Sequence, residues 1–411
     1  MKNKIHNNSI NILYYFINKQ YIMQVSIGSS DIQFERNTIK YDVLTFTCAL
    51  VSYMYLYYSI ILLPLLYFGY KLFFEYNTKI IIKALTPNPN KFNGQYKGWY
   101  RICLSKELEN GKIKTFKLLG TEIVIYRDYN SKINAIDAYC SHQGAHLGLG
   151  SICSNNNIRC AFHGWSFDGS GKCKTSIATL HESCKSAELD IKSWIVCEER
   201  GIIYLWYGSE DPLFDVPPMP NQNNIRHVGT VTFNMHSNIV DVAENHVDFL
   251  HFYWVHSKHN EPFGICFENK NPSKITISDD GYKLTIEQPA YIQIFGYRIM
   301  DFKSKNIING LSIGEFSFLN FIYASLSIIP INESYLSATL DFYMPWYVPA
   351  FIAKIFIWII AVGVPIDDIV IWNTKKFKSN PALIKNEYNN ITSFRKYCER
   401  FQINDSKLFD W

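Results

Sequence analysis

The chain has 411 residues, 48% of them apolar and 16% aromatic, with a net charge of only +4. That length exceeds what one compact domain usually holds, so two domains with additional segments are expected. The small charge excludes the broad basic surface that nucleic-acid binding needs, and ten scattered cysteines without a regular framework exclude a disulfide-built scaffold.

Residues 1–42 form a polar segment rich in Asn, Ile and Lys, without the apolar core and small-residue cleavage site of a signal peptide. From Val43 to Tyr70 no charged residue occurs, a stretch longer than the roughly 20 residues that span a bilayer. One transmembrane helix is expected at 43–70, kinked at Pro64. Its six tyrosines are unusual for a lipid-facing helix, and a long buried core helix is the alternative. Lys71, Lys79 and Lys83 follow the span while Arg36 and Lys40 precede it, a bias that places the C-terminal bulk in the cytosol.

Residues 71–96 read as a linker, ending in the Pro-, Asn- and Gly-rich run Thr86 to Tyr100 that leads into the first strand of a small domain at 97–210. Ile123–Tyr126 and Ile133–Ala138 are short β-rich runs separated by Asp128-Tyr129-Asn130, a hairpin signal, and Ile202–Trp206 is a further strand. Residues 211–220 hold four prolines and mark a second linker. Beyond it, 221–411 mixes strands at Val228–Phe233, Lys283–Glu287, Tyr291–Phe295 and Tyr335–Tyr343 with helices at about Asn238–Trp254 and from about Asp367 into Cys398. The fold class is therefore α+β. The run Met344–Pro365 carries only Lys354 as a charge and is expected to dip into a membrane rather than span it, broken by Pro345, Pro349 and Pro365.

Two loops carry the first chemical signal. Cys140-Ser141-His142 and, seventeen residues on, Cys160-Ala161-Phe162-His163 each offer one thiolate and one imidazole, with Gly144 and Gly164 nearby. Two Cys and two His also make a zinc set, but zinc fingers pair Cys with Cys and His with His along the chain. One of each per loop suits a [2Fe-2S] cluster whose irons take both thiolates and both imidazoles respectively. The other cysteines, Cys48, Cys103, Cys153, Cys173, Cys184, Cys197, Cys266 and Cys398, read as free thiols or buried apolar groups, and His146 and Cys153 as structural.

The second signal is Asn238–His256, which holds Asp248, His251 and His256. Two imidazoles and a carboxylate suit ferrous iron with positions left open for dioxygen, although such a helix by itself is more often a polar core or surface face. Five residues rotate by about 500° in an α-helix, so His251 and His256 share a face only where the helix ends or bulges between them.

The first motif resembles the Rieske cluster motif, C-x-H followed by C-x-x-H-G-W. Ala145 and Phe162 stand where the respiratory Rieske proteins carry an additional disulfide, and Trp165 is similar to the aromatic of the Rieske oxygenases. Glu244, Asn245, Asp248, His251 and His256 match those oxygenases' E-N-x-x-D-x-x-H-x-x-x-x-H pattern. The resemblance implies that Cys140, His142, Cys160 and His163 hold a [2Fe-2S] cluster and that His251 and His256 bind a mononuclear Fe(2+). It also implies that Asp248 relays electrons from a neighbouring subunit's cluster, most simply in a homotrimer, and that a carboxylate at the start of a C-terminal helix is the third iron ligand. Asp368 is that match, with Asp367 the alternative.

The span Tyr96–Lys375 resembles the cholesterol 7-desaturases of the Neverland type, through NGQYKGWYRI, LGTEIVIYRD, AIDAYCSHQGAHLG, FHGWSFDGSGKC and DDIVIWNTK. Ala161 replaces a proline common there. The resemblance implies an N-terminal membrane helix at the endoplasmic reticulum, a small antiparallel β Rieske domain and a helix-grip-like catalytic domain of antiparallel sheet with helices. It further implies removal of two hydrogens across C7 and C8 of cholesterol, with dioxygen and electrons from NAD(P)H through a separate reductase. A Rieske sterol or steroid hydroxylase is the alternative within enzymes, and a membrane-anchored Rieske electron carrier the alternative outside them.

Overall fold

The computed structural model of the protein describes residues 48–56, 59, 62–66, 78–82, 95–175, 189–208, 211–216, 224–256, 263–267, 274–318, 322–332 and 334–403. The chain divides into two units, Met1–Phe68 and Gly69–Trp411. In the first, residues 48–56, 59 and 62–66 are helical, and apolar side chains such as Val51, Tyr55 and Leu63 are exposed. The rest of the expected Val43–Tyr70 span, and all of 1–42, lies outside the described residues. Among the described residues no helix is long and apolar enough to cross a membrane.

In the second unit the smaller, all-antiparallel part consists of three sheets. Gly98–Leu104 pairs with Ile202–Tyr207, which pairs with Val196–Glu199. Ile113–Leu118, Thr121–Arg127, Ile133–Asp137 and Ser193–Trp194 form the second sheet, and Ser151–Ile152, Ile158–Arg159 and Ser166–Phe167 the third. Strand alternation in Thr121–Arg127 serves two cores. Ile123 and Ile125 face the main core, while Val124 and Tyr126 face a smaller one that includes Cys140, Leu147, Ile158, Cys160 and Phe167. At the hairpin signal, Asp128 Oδ1 accepts the N–H groups of Asn130 and Lys132 and so holds the turn shut.

The larger part is a nine-stranded sheet in the order Thr78–Ile82, Ile225–His236, Tyr335–Pro345, Ile322–Pro330, Ile313–Phe318, Tyr297–Asn309, Lys283–Ile294 and Phe263–Phe267, with Lys274–Ile277 also on the Lys283–Ile294 edge. Every pairing is antiparallel except that of Thr78–Ile82 with Ile225–His236. Thr78–Ile82 falls inside the stretch expected to be linker, so part of 71–96 belongs to this sheet. Lys283–Glu287 and Tyr291–Phe295, expected as separate strands, are one continuous strand through Pro289. Pro289 sits between the stretches covered by the two edge partners and is paired with Lys303 on its other side.

The helices correct the sequence reading in two places. A single helix from about Asp367 into Cys398 is instead two, Ala350–Thr374 and Lys385–Glu399. The gap contains Pro381, which disfavours helical backbone at the residue before it. Conversely, Pro365 does not break Ala350–Thr374, because Ala353 and Ile357 before it and Ile369 and Trp372 after it all pack into the main core against the sheet. Asp368 therefore lies within the last turns of a long helix, not at the start of one. The expected helix Asn238–Trp254 is likewise two short ones, Ile239–Glu244 and Leu250–Val255.

Two buried ion pairs join the smaller part to the sheet. Arg101 of Gly98–Leu104 meets Asp341 of Tyr335–Pro345 through two hydrogen bonds of 2.5 and 3.0 Å. Arg200 pairs with Glu315 of Ile313–Phe318.

Candidate metal centres

The two Cys-x-His and Cys-x-x-His loops are copies of one another in their backbone bonding. Cys140 N donates to Ala145 O and Gly144 N to Cys140 O, and equally Cys160 N donates to Trp165 O and Gly164 N to Cys160 O. Each loop needs a residue in the left-handed region to close so tightly. Gly144 (φ 71°) and Gly164 (φ 75°) supply it. The first loop follows Ile133–Asp137 and the second joins Ile158–Arg159 to Ser166–Phe167, so the small sheets fix both mouths.

Side chains separate by type. Cys140 and Cys160 are buried in the small core, close enough that Cys160 adds to the burial that pushes the Cys140 thiol up to about 11. His142 and His163 stand together on the exposed side, ring centroids 4.7 Å apart, with Trp165 stacked on His142 at 4.6 Å. Ligands of one tetrahedral zinc would all lie within about 4 Å of one another. Among the described residues, however, the set of three or more ligand side chains whose atoms lie within 4.8 Å does not include these four. Paired thiols on one side and paired imidazoles on the other fit a two-iron cluster instead. A bound cation would also remove the thiol protons that burial otherwise retains. No disulfide occurs among the described cysteines. His146 turns away from this quartet: Nδ1 accepts Gly148 N, and Nε2 lies 3.6 Å from Glu122.

The set that does converge within 4.8 Å is His251, His256 and Asp368. Leu250–Val255 ends one residue before His256, so the chain turns and brings both imidazoles to one point, ring centroids 5.4 Å apart. His256 Nε2 is 3.3 Å from Asp368 Oδ2. Asp367, the alternative carboxylate, is not in the set. Two imidazoles and one carboxylate, all largely buried, are the donor set that ferrous iron takes with positions left open. Asp248 is not in the set either. Its Oδ1 accepts the N–H groups of Leu250 and His251, capping that helix, and its carbonyl pairs with His251 Nδ1, which leaves His251 Nε2 as the ligand atom.

Sequence reasoning missed the residues behind this trio. Glu244, read only as part of a motif, forms a buried bidentate pair with Arg395 at 2.6 and 3.1 Å. Asp241 pairs with Lys375 at 2.7 Å. The helical spacing of Asp241 and Glu244 put them on one face, but nothing local signalled partners from the distant C-terminal region.

Residues 98–196 match the Rieske [2Fe-2S] domain. The cholesterol 7-desaturase of Ciona intestinalis is 27% identical over 75% of this chain and 69% of its own, and that of Drosophila melanogaster 28% over 80% and 78%. The oxygenase component of 3-ketosteroid-9-alpha-monooxygenase of Rhodococcus rhodochrous is 29% identical over 46% of this chain and 51% of its own. In fold, the oxygenase in the oxygenase–ferredoxin complex of carbazole 1,9a-dioxygenase covers 75% of this chain and 90% of its own with a TM-score of 0.57 at 19% identity, and dicamba monooxygenase covers 74% and 96% with a TM-score of 0.56 at 17% identity. Residues 98–196 are thus a Rieske [2Fe-2S] domain, and the chain as a whole is similar to the cholesterol 7-desaturases.

Proposed function

We propose that the protein is a sterol 7-desaturase that converts cholesterol to 7-dehydrocholesterol. The observation that carries this reading is the presence, in one chain similar to cholesterol 7-desaturases over most of its length, of both a paired Cys/His site and a converged His251/His256/Asp368 site. A Rieske electron carrier needs only the first.

When bound, the cluster at Cys140, His142, Cys160 and His163 supplies electrons one at a time, and iron at His251, His256 and Asp368 supplies dioxygen chemistry. Dioxygen leaves as two waters, taking two electrons from the sterol and two from NAD(P)H through a separate reductase. The chain's own residues hold and orient. Asp248 fixes the His251 ring through its backbone carbonyl, while its half-exposed carboxylate is available to a histidine ligand of the neighbouring subunit's cluster. That inter-subunit relay calls for closed head-to-tail assembly, most simply a homotrimer.

The helix Ala350–Thr374, lying on an antiparallel sheet, supports a helix-grip-like catalytic domain. Its first turns carry exposed Ile352 and Ile355, just after exposed Trp346 and Tyr347. These side chains support a membrane-facing surface on the helix that leads to Asp368. With the uncharged Val43–Tyr70 stretch, they favour attachment to the endoplasmic reticulum membrane with the catalytic part in the cytosol.

A hydroxylase is the second reading, favoured by the similarity to the 3-ketosteroid 9α-monooxygenase component. Product analysis decides. Incubation of cholesterol with the membrane-bound protein, a reductase and NADPH gives a conjugated 5,7-diene if the chain is a desaturase, and a hydroxysterol if it is a hydroxylase.

A further inference from the structure

The three side chains of the mononuclear site come from two segments far apart in sequence, one carrying His251 and His256 and the other carrying Asp368. Their mutual placement is only as good as the connection between those segments. The short helix Ile239–Glu244 directly precedes the histidine segment, and its Asp241 and Glu244 are both buried. Three residues apart on a helix, they face the same way. Asp241 meets Lys375 at 2.7 Å, and Lys375 is the residue that closes the Asp368 helix through its N–H to Ile371 O. Glu244 receives both Nε and Nη2 of Arg395, at 2.6 and 3.1 Å. The remaining Nη1 of Arg395 donates to the carbonyls of Lys378 and Ser379 in the connection that follows the Asp368 helix.

A third tie runs parallel to these. Asn373 Oδ1 accepts His236 N at 2.7 Å. None of these carboxylates belongs to the converged ligand set. A bidentate guanidinium–carboxylate pair has fixed geometry, and removal of one partner strands a buried charge. Asp241 and Glu244 thus each clamp the histidine side of the site to the aspartate side.

We propose that Glu244 and Arg395, together with Asp241 and Lys375, are positioning residues for the mononuclear iron: two ion pairs that hold Asp368 in register with His251 and His256. The proposal rests on the reading that these three residues bind the metal. Neither pair belongs to the converged trio, and the cluster site has no part in them.

The test is titration with Co(II), a visible-absorbing stand-in for Fe(II), of the full-length protein with its cluster intact and its mononuclear site emptied. Arg395→Lys keeps the charge but loses the fork, and Lys375→Met removes the cation beside buried Asp241, with the Rieske spectrum and far-UV circular dichroism of each variant reporting whether it folds. In both variants the Rieske absorption and paramagnetic spectra should match the parent while Co(II) affinity falls by about ten- to a hundredfold, the range known for residues that support metal ligands. Lys375→Met decides alone if Arg395→Lys loses its cluster. Co(II) affinity within twofold of the parent in a variant that keeps its cluster would overturn the proposal. His256→Ala tests the underlying reading separately. If it binds Co(II) as the parent does, the trio is not the metal site, and the positioning proposal falls with it.

Discussion

Asp368 Oδ2 lies 3.3 Å from His256 Nε2, and the neighbouring carboxylate, Asp367, stays outside the group that gathers there. Asp368→Ala should therefore lose the mononuclear iron and all turnover, falling from about three irons to about two per chain while about two acid-labile sulfides remain. Asp367→Ala should keep the full complement. Iron and sulfide analysis of the two variants checks this, and the reverse pattern would move the ligand by one residue.

The pairing of Cys140 with Cys160 and of His142 with His163 makes a spectroscopic prediction. His142→Cys should shift the paramagnetic spectrum toward that of an all-thiolate cluster, at lower potential, or lose the cluster. Cys140→Ala should abolish the Rieske signal. An unchanged spectrum in Cys140→Ala would remove this residue from the cluster.

Asp248 is predicted to separate electron delivery from metal binding. Because its backbone carbonyl pairs with the His251 ring and an amide oxygen can still accept the Leu250 and His251 N–H groups, Asp248→Asn should retain both metals. Turnover should nevertheless drop by at least about tenfold, since the carboxylate is the group proposed to reach the next subunit's cluster. Metal analysis beside single-turnover kinetics distinguishes the two roles. Normal turnover would sink the relay.

Much of the candidate sites was legible in the sequence because their side chains sit in short local patterns, Cys140 to His142, Cys160 to His163 and His251 to His256. The requirement that the helix end between His251 and His256 followed from helical geometry alone, and Leu250–Val255 ends at that place. What local pattern did not carry was long-range. Proline content suggested a break at Pro365, yet core packing on both flanks holds that helix straight through. The strand Thr78–Ile82 read as linker because its reason to be a strand is a partner far along the chain, Ile225–His236. The same holds for the Glu244–Arg395 and Asp241–Lys375 pairs, each visible only once folding brings the ends together.

The interdomain pair Arg101–Asp341 yields a stability prediction. Asp341 is fully buried, and burial alone would raise its carboxyl. The charge and hydrogen bonds of Arg101 and His227 outweigh that and hold it below the usual value of 3.8. A depressed carboxylate stabilises the fold fully above its unfolded value. This contribution is lost as pH falls below about 4 and through the folded value. Asp341→Ala strands Arg101 and should cost about 3–5 kcal/mol at neutral pH, with a flatter acid limb than the parent in denaturation at stepped pH.

The central claim is that this chain desaturates a sterol ring, and ultraviolet detection of the product is its most direct test. Membranes holding the protein and a reductase, supplied with cholesterol, NADPH and dioxygen, should accumulate 7-dehydrocholesterol, seen as the structured absorption of a conjugated 5,7-diene. His251→Ala should abolish it with the cluster still reducible. A hydroxysterol as sole product, or no dioxygen-dependent sterol product from protein with a reducible cluster and an occupied iron site, would contradict the account.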